Sequence, residues 1–259
     1  LHLPFYAAKS VSKVECQHAL GSLKQGSAKP KPFFQHKQGE LIMKIAVIGA
    51  TGLVGNAVVL ELAARNHQVS AFARNIAKVA QHPNVQAVAA DVNAPDFADK
   101  LAGFDAVVSA FKVSWDSPNL VQDIKTGYDN LFAAFKAAQL PYYLIIGGAG
   151  SLNVAPGLQL VDTPDFPAGA YPASDAVRVL LDDLRPRRDI NWAFLSPAAM
   201  FAVAPVSFEA KGAYRIGQDD VLLNADGSPA DIALPDLAAA IADDVEQKAH
   251  LFQRFTVAN

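Results

Sequence analysis

From residue 43 onward the chain alternates two hydropathy patterns. Short apolar runs without polar interruption are separated by longer stretches in which apolar side chains return every three or four residues. Lys44–Gly49 is the first run, with Ile45, Ala46, Val47 and Ile48 in succession. An apolar run that does not alternate reads as a strand covered on both faces. Leu53–Asn66 then reads as a helix, with Val54, Ala57, Val58, Leu60, Leu62 and Ala63 on or near one face. Further strands are predicted at Gln68–Arg74, Val85–Val92, Asp105–Phe111, Tyr142–Gly147 and Asn191–Leu195. A long helix is predicted at Pro118–Leu140, where Leu120, Ile124, Tyr128, Leu131 and Phe135 recur at helical spacing. Another is predicted at Ser174–Arg185, with Val177, Leu180, Leu181 and Leu184 inward.

Strand and helix in this alternation imply right-handed crossovers and a mostly parallel sheet with helices on both faces. The fold class is therefore α/β, a doubly wound parallel sheet of the dinucleotide-binding (Rossmann) kind. After Pro197 the rhythm shortens. Segments at Ala213–Ile216 and Asp220–Leu223 precede a helix near Pro235–Gln247 and a last strand at Arg254–Val257. One domain over residues 43–259 is expected, with a small C-terminal substrate lobe at about 197–235 over the sheet's carboxyl edge.

The first 42 residues read differently. Lys9, Lys13, Lys24, Lys29, Lys31 and Lys37 stand against only Glu15 and Glu40, among Gly, Ser, Pro and Gln clusters. Met43 falls directly before the first strand. This segment is expected to be a non-native or disordered basic extension. A targeting peptide is the rival reading, and the segment lacks the arginine that such peptides carry. Across the chain, 22 basic residues meet 25 acidic ones. That balance suggests neither a nucleic-acid nor a membrane surface. Cys16 is the one cysteine, which excludes an intrachain disulfide and cysteine metal sites. No apolar run is long enough to span a bilayer. A cytoplasmic protein is expected. His67, His82 and His250 show no metal spacing and are expected at the surface, so no metal is assigned. The paired acids Asp182–Asp183, Asp219–Asp220 and Asp243–Asp244 are expected on solvated faces.

The chemistry centres on "KIAVIGATGLVG", residues 44–55. Three glycines lie where a strand gives way to a helix. A helix amino terminus offers unpaired N–H groups and partial positive charge, and a pyrophosphate reaches them only where the backbone comes close. Cβ atoms at Gly49 or Gly52 would stand in the way, and Gly55 lets the helix pack closely. Thr51 can add a hydroxyl donor. No Gly-Lys-Ser/Thr follows, so this is not the loop of nucleotide triphosphatases. The second strand ends in "FARN". An acid there would bind the ribose 2′-hydroxyl; Arg74 instead suits a 2′-phosphate, with Asn75 beside it. NADP(H) is therefore favoured over NAD(H), although Arg74 also reads as a solvated surface residue. Asp91 and Val92, ending the third strand, border the adenine, or Asp91 caps a helix.

"KIAVIGATGLVG", "DAVVSAF", "YYLIIGGAGSL", "NWAFLSPAAMF" and "RFTVAN", with "VDTPDFP" at 161–167, together carry a resemblance. Over residues 43–259 the chain resembles the NAD(P)H-binding atypical short-chain dehydrogenase/reductase proteins. These include the NADH-flavin reductase group, and are similar to biliverdin reductase B/flavin reductase and NmrA-like proteins. The resemblance implies that Gly49, Thr51, Gly52, Leu53 and Val54 line the pyrophosphate. It implies that Arg74 meets the 2′-phosphate and that Asp91 and Val92 meet the adenine. Ser109, Ala110 and Phe111 would follow the cofactor toward the nicotinamide, with Gly148 and Ser151 near its ribose or the substrate.

One departure shapes the expected chemistry. Ordinary short-chain dehydrogenases use a Tyr-x-x-x-Lys pair. Here "YPASD" places Asp175 four residues after Tyr171, and an aspartate raises a tyrosine's pKa instead of lowering it. Alcohol–ketone chemistry and sugar epimerisation lose their acid. Hydride transfer to a flavin needs no such acid, only two flat rings held in contact. Phe111, Trp115, Tyr171, Phe201 and Phe208 are candidates for an apolar floor, and each also reads as core. Ser109, Ser151 and Tyr171 are the catalytic candidates, the serines doubling as turn or cap residues. The expected function is an NADPH-dependent oxidoreductase acting on a planar acceptor such as FMN. The alternative is a non-catalytic NADP(H)-binding redox sensor of the NmrA-like type.

Overall fold

The computed structural model describes residues 31–32, 42–203 and 205–259. Its centre is a parallel sheet of β2 (Lys44–Ile48), β3 (Gln68–Ala73), β4 (Val85–Ala89), β5 (Ala106–Ser109), β6 (Tyr143–Ile146), β9 (Trp192–Pro197) and β11 (Arg254–Ala258). The order across the sheet is β4-β3-β2-β5-β6-β9-β11. β10 (Ala213–Gly217) continues it, antiparallel to β11, and β1 (Lys31–Pro32) pairs antiparallel with β10. Apart from Lys31 and Pro32, the leader with Cys16 and its other lysines lies outside the described residues, except for Ile42.

Helices α1 (Leu53–Ala64) and α4 (Leu234–Gln247) cover one face; α2 (Leu120–Ala138) and α3 (Tyr171–Leu184) cover the other. The alternation of a strand sorts its side chains between two cores. Ile45 and Val47 join the first core, with Leu62, Leu237 and Ile241. Ala46 and Ile48 join the second, with Leu131, Phe135, Phe194 and Trp192. Each fully buried aliphatic side chain of this kind stabilises by roughly 1.5–3 kcal/mol. β7 (Asn153–Ala155) and β8 (Leu158–Gln159) form a hairpin that sequence periodicity did not reveal. With residues 220–229 it builds a small satellite core of Leu152, Val154, Val221 and Leu223. This satellite core draws on residues near 150–160 as well as on 220–229, while β10 joins the main sheet.

Element boundaries move for local reasons. The strand predicted at Asp105–Phe111 stops at Ser109, because Ala110 and Phe111 turn away against the glycine loop. α3 starts at Tyr171, three residues early, since Pro172 is tolerated in a first turn where no N–H bond is lost.

Two expectations about polar residues are corrected. Asp243 and Asp244 are buried, not solvated. The Arg65 guanidinium reaches Asp243 at 2.6 Å and Glu246 at 3.1 Å, and its Nε donates to Glu61. Tyr214 donates to Asp243 as well. Tyr142 donates to Asp244 at 2.6 Å, and the His250 ring, stacked on Phe255, meets the other Asp244 oxygen. His67 is also buried: its Nδ1 accepts the Met43 N–H, which leaves Nε2 to donate to Glu246. Asp219 is half-buried and binds Arg254 and Arg185. These carboxylates are satisfied by partners far away in sequence, so burial does not leave a bare charge. Burial would lower the Arg65 pKa, but the Asp243 hydrogen bond and the nearby carboxylates outweigh it and hold the guanidinium charged. Burial first, then Asp243, pushes the Tyr214 pKa upward.

Removing one member of this network should strand the others. Asp243→Ala is expected to cost about 3 kcal/mol, because Arg65 loses its best partner in a buried setting. Urea unfolding would read the loss as a lowered midpoint with an unchanged slope.

Candidate dinucleotide site

The chain after β2 crosses to α1 on one face, and the chain after β5 crosses to α2 on the other. Neighbouring strands whose connections diverge leave a crevice at their carboxyl ends, the place where an open α/β sheet holds a ligand. A cavity of about 530 Å³ lies there. The glycine loop forms one wall. Gly49 has φ of 76°, and a Cβ on it would stand 2.3 Å from the Ala110 carbonyl oxygen. Gly55 is equally constrained, since its Cβ would stand 2.2 Å from the Gly49 oxygen. Gly52, the residue before α1, is tighter than ordinary packing allows: a Cβ there would stand 3.3 Å from the Gly49 carbonyl oxygen, so the loop backbone would have to yield by a few tenths of an ångström. No side chain caps α1, and no acid occupies its first turn. The partial positive charge of its N-terminus, beside the crevice residue Gly52, therefore has no acid in its own first turn to offset it, which suits a pyrophosphate.

The cavity gathers several expected residues: Gly49, Thr51, Gly52, Arg74, Asp91, Val92, Ala110 and Phe111. Arg74 is exposed just beyond β3, and among the described residues it has no ion-pair partner. Asp91 accepts the Asn93 amide through Oδ1, fixing the turn after β4. Phe111 packs edge-on to Tyr128 and fills the space over Gly127, where a Cβ would meet its ring at 2.4 Å. Leu53, Val54 and Gly55 follow the loop on α1 but do not line the cavity. Asn75 caps the short 3₁₀ turn Ile76–Lys78 by accepting from Ala77.

The catalytic candidates do not come together. Ser109 and Ser151 are buried, and neither hydroxyl has a partner among the described residues. Ser109 lies between Ile48 and Ile145 in the sheet. The Ser151 carbonyl accepts from Arg254. Tyr171 is exposed and lines a separate hollow of about 480 Å³ with Val161, Asp162, Thr163, Phe166 and Ala168. Asp175 is ion-paired with Arg178. Gly148 is half-buried near Val177. Trp115 and Phe208 are exposed, and Phe201 packs on the core. The remaining described tyrosines are committed elsewhere. Tyr128 is buried and pushed upward in pKa by that burial; Tyr143 is pushed by burial to about 12 and donates to the Phe135 carbonyl. Sequence reasoning missed Phe72, Phe97, Lys112, Asp123 and Thr126 as cavity lining. Only the position of Phe72, at the end of a predicted strand, offered a signal.

A family model described as NAD(P)H-binding matches residues 49–247. The chain belongs to this NAD(P)H-binding family. It is 38% identical over 217 residues to the uncharacterized protein YwnB of Bacillus subtilis (strain 168), covering 83% of this chain and 98% of that one. A Bacteroides thetaiotaomicron structure described provisionally as an epimerase superposes with a TM-score of 0.75 at 32% identity, over 84% of this chain and 97% of its own. A Streptococcus pneumoniae TIGR4 structure described provisionally as an NADH-flavin reductase gives 0.73 at 31% identity, over 84% and 99%. The glycine cradle, the uncapped helix and the crevice fit the nicotinamide cofactor that this family binds. Among the described residues no helix is long and apolar enough to cross a membrane.

Two glycine variants separate fold from binding. Gly49→Ala is expected to cost about 3 kcal/mol, through a left-handed φ and backbone overlap. Gly52→Ala should cost much less stability than Gly49→Ala, since only a small backbone shift is needed, while weakening NADPH binding at least about tenfold, or about 1.4 kcal/mol. Thermal melts and cofactor fluorescence titrations check both.

Proposed function

We propose that this NAD(P)H-binding protein is a reductase that uses NADPH and passes hydride to a planar conjugated acceptor, a flavin or a quinone-like ring. The observation that carries the reading is the shared cavity, in which the glycine loop and Arg74 line one crevice. A guanidinium at the end of β3 is the group that pairs bidentately with a 2′-phosphate, whereas a carboxylate there would repel it. The bound cofactor supplies the hydride. The chain's own residues bind and orient. Gly49 and Gly52 admit the pyrophosphate, Arg74 takes the 2′-phosphate, and Asp91 and Val92 border the adenine. Ala110 and Phe111 shape the floor against β5. The hollow lined by Val161, Phe166 and Tyr171 is assigned to the acceptor, whose flat ring needs apolar contact and no acid from the protein. Ser109 and Ser151, sealed beneath the surface, are given no contact with it. The likeness to a flavin reductase supports this acceptor class.

The likeness to an epimerase favours a second reading, sugar epimerisation. That chemistry calls for an acid–base pair, and Tyr171 is followed at the lysine position by Asp175, itself tied to Arg178. A single cysteine is in keeping with a cytoplasmic setting.

Oxidation of NADPH by the purified protein, with and without FMN and with NADH as the paired control, tests the proposal. Acceptor-dependent turnover preferring NADPH is expected. Arg74→Ala should lower kcat/KM for NADPH about 10- to 100-fold, corresponding to a charged hydrogen bond of roughly 1.5–3 kcal/mol, and leave NADH nearly unaffected. Tight NADPH binding without turnover on flavins or quinones would favour the sensor alternative.

A further inference from the structure

Lys112 stands in the crevice and has no role yet. It follows Phe111 on the connection leaving β5 and lines the same cavity as Gly49, Gly52 and Arg74. Its root is fixed by a close backbone approach. The Ala110 carbonyl lies against Gly49, and the Phe111 nitrogen is 3.3 Å from where a Gly49 Cβ would be. Lys112 is therefore anchored one residue beyond the backbone that touches the glycine loop. Arg74, by contrast, sits beyond β3, on the opposite side of β2 from β5.

Among the described residues no carboxylate pairs with the Lys112 ammonium. It rests over the Trp115 ring, 5.3 Å from the centroid. The acids of the crevice are engaged elsewhere: Asp123 accepts the Ser117 hydroxyl, and Asp91 accepts the Asn93 amide. Burial of the ammonium lowers its pKa. A cation beside an anion-binding loop gains when an anion arrives, and an aromatic face is a weaker partner than a phosphate.

We propose that Lys112 is a further cofactor-binding residue, leaving the Trp115 ring to pair with the pyrophosphate while Arg74 takes the 2′-phosphate. The inference rests on the nicotinamide-cofactor reading of the crevice. It divides the two cations by function: Lys112 sets affinity for either cofactor, and Arg74 sets the choice between them.

Dissociation constants for NADPH and NADH, read by cofactor fluorescence without any acceptor, test this division. Lys112→Ala should weaken both cofactors by the same factor, about tenfold, and make binding less sensitive to added salt. Lys112→Arg should restore both to within about threefold of the parent, since a guanidinium also pairs with phosphate. Melting curves confirm that the variants fold. Unchanged affinities in Lys112→Ala would overturn the proposal. So would a loss confined to NADPH, which would move Lys112 to the 2′-phosphate. Failure of the parent protein to bind either cofactor would bring down the cofactor reading together with the proposal.

Discussion

The site depends on one close contact between two backbones. Gly49 and Ala110 end adjacent parallel strands and touch where any side chain would collide. Because Gly49 has no Cβ, β2 and β5 stay paired to their last residues and only then diverge, one toward each face of the sheet. Gly55 repeats the device one layer up, letting the first turn of α1 settle on the Gly49 carbonyl. The crevice is the space left by those two approaches. Its shape and the position of the β5 connection both follow from two missing methyl-sized groups.

Much of this was legible in the sequence because it is local. Ile45–Ile48 and Val107–Val108 are apolar without alternation, which only a doubly covered strand explains, and the glycines fall at fixed offsets from the first of them. Arg74 was found for the same reason: it sits at a countable position past a strand. The misses share a different cause. Asp243 and Asp244 look like a charged helix face until Arg65, Tyr142, Tyr214 and His250 are brought to them, from as many as 178 residues away. Burial of a carboxylate depends on its partners, and those partners carry no signal at the acid's own position. The β7–β8 hairpin was missed because its strands are two or three residues long, too short for any period. Lys112 was missed because one lysine in a loop is silent without the cavity around it.

The catalytic side was least legible. Ser109 and Ser151 are the polar handles that the family resemblance places toward the nicotinamide, yet successive side chains of a strand point to opposite faces. Ser109 shares its face with Ile48 and Ile145, so its hydroxyl is turned into the second core. Tyr171 drew notice through a motif spacing, and its placement at the head of α3 gives it a different hollow. Motif logic found the glycine loop that walls the crevice, because a glycine's missing side chain acts on the backbone at its own position. It says less about an acceptor, because acceptor binding belongs to side chains on loops.

The pairing of α1 with α4 also governs when the molecule can be complete. α1 belongs to the first crossover of the chain, yet the helix that covers it begins at Leu234, and Arg65 finds its carboxylate at Asp243. During synthesis the early strands and α1 emerge with their outer apolar stripe bare, and they remain so until residues 234–258 have been made. Contacts of such long sequence separation close late and slowly. The nucleotide loop is thus encoded early but gains its rigid backing last. A chain halted before α4 would offer an exposed, adhesive helix in place of a binding site.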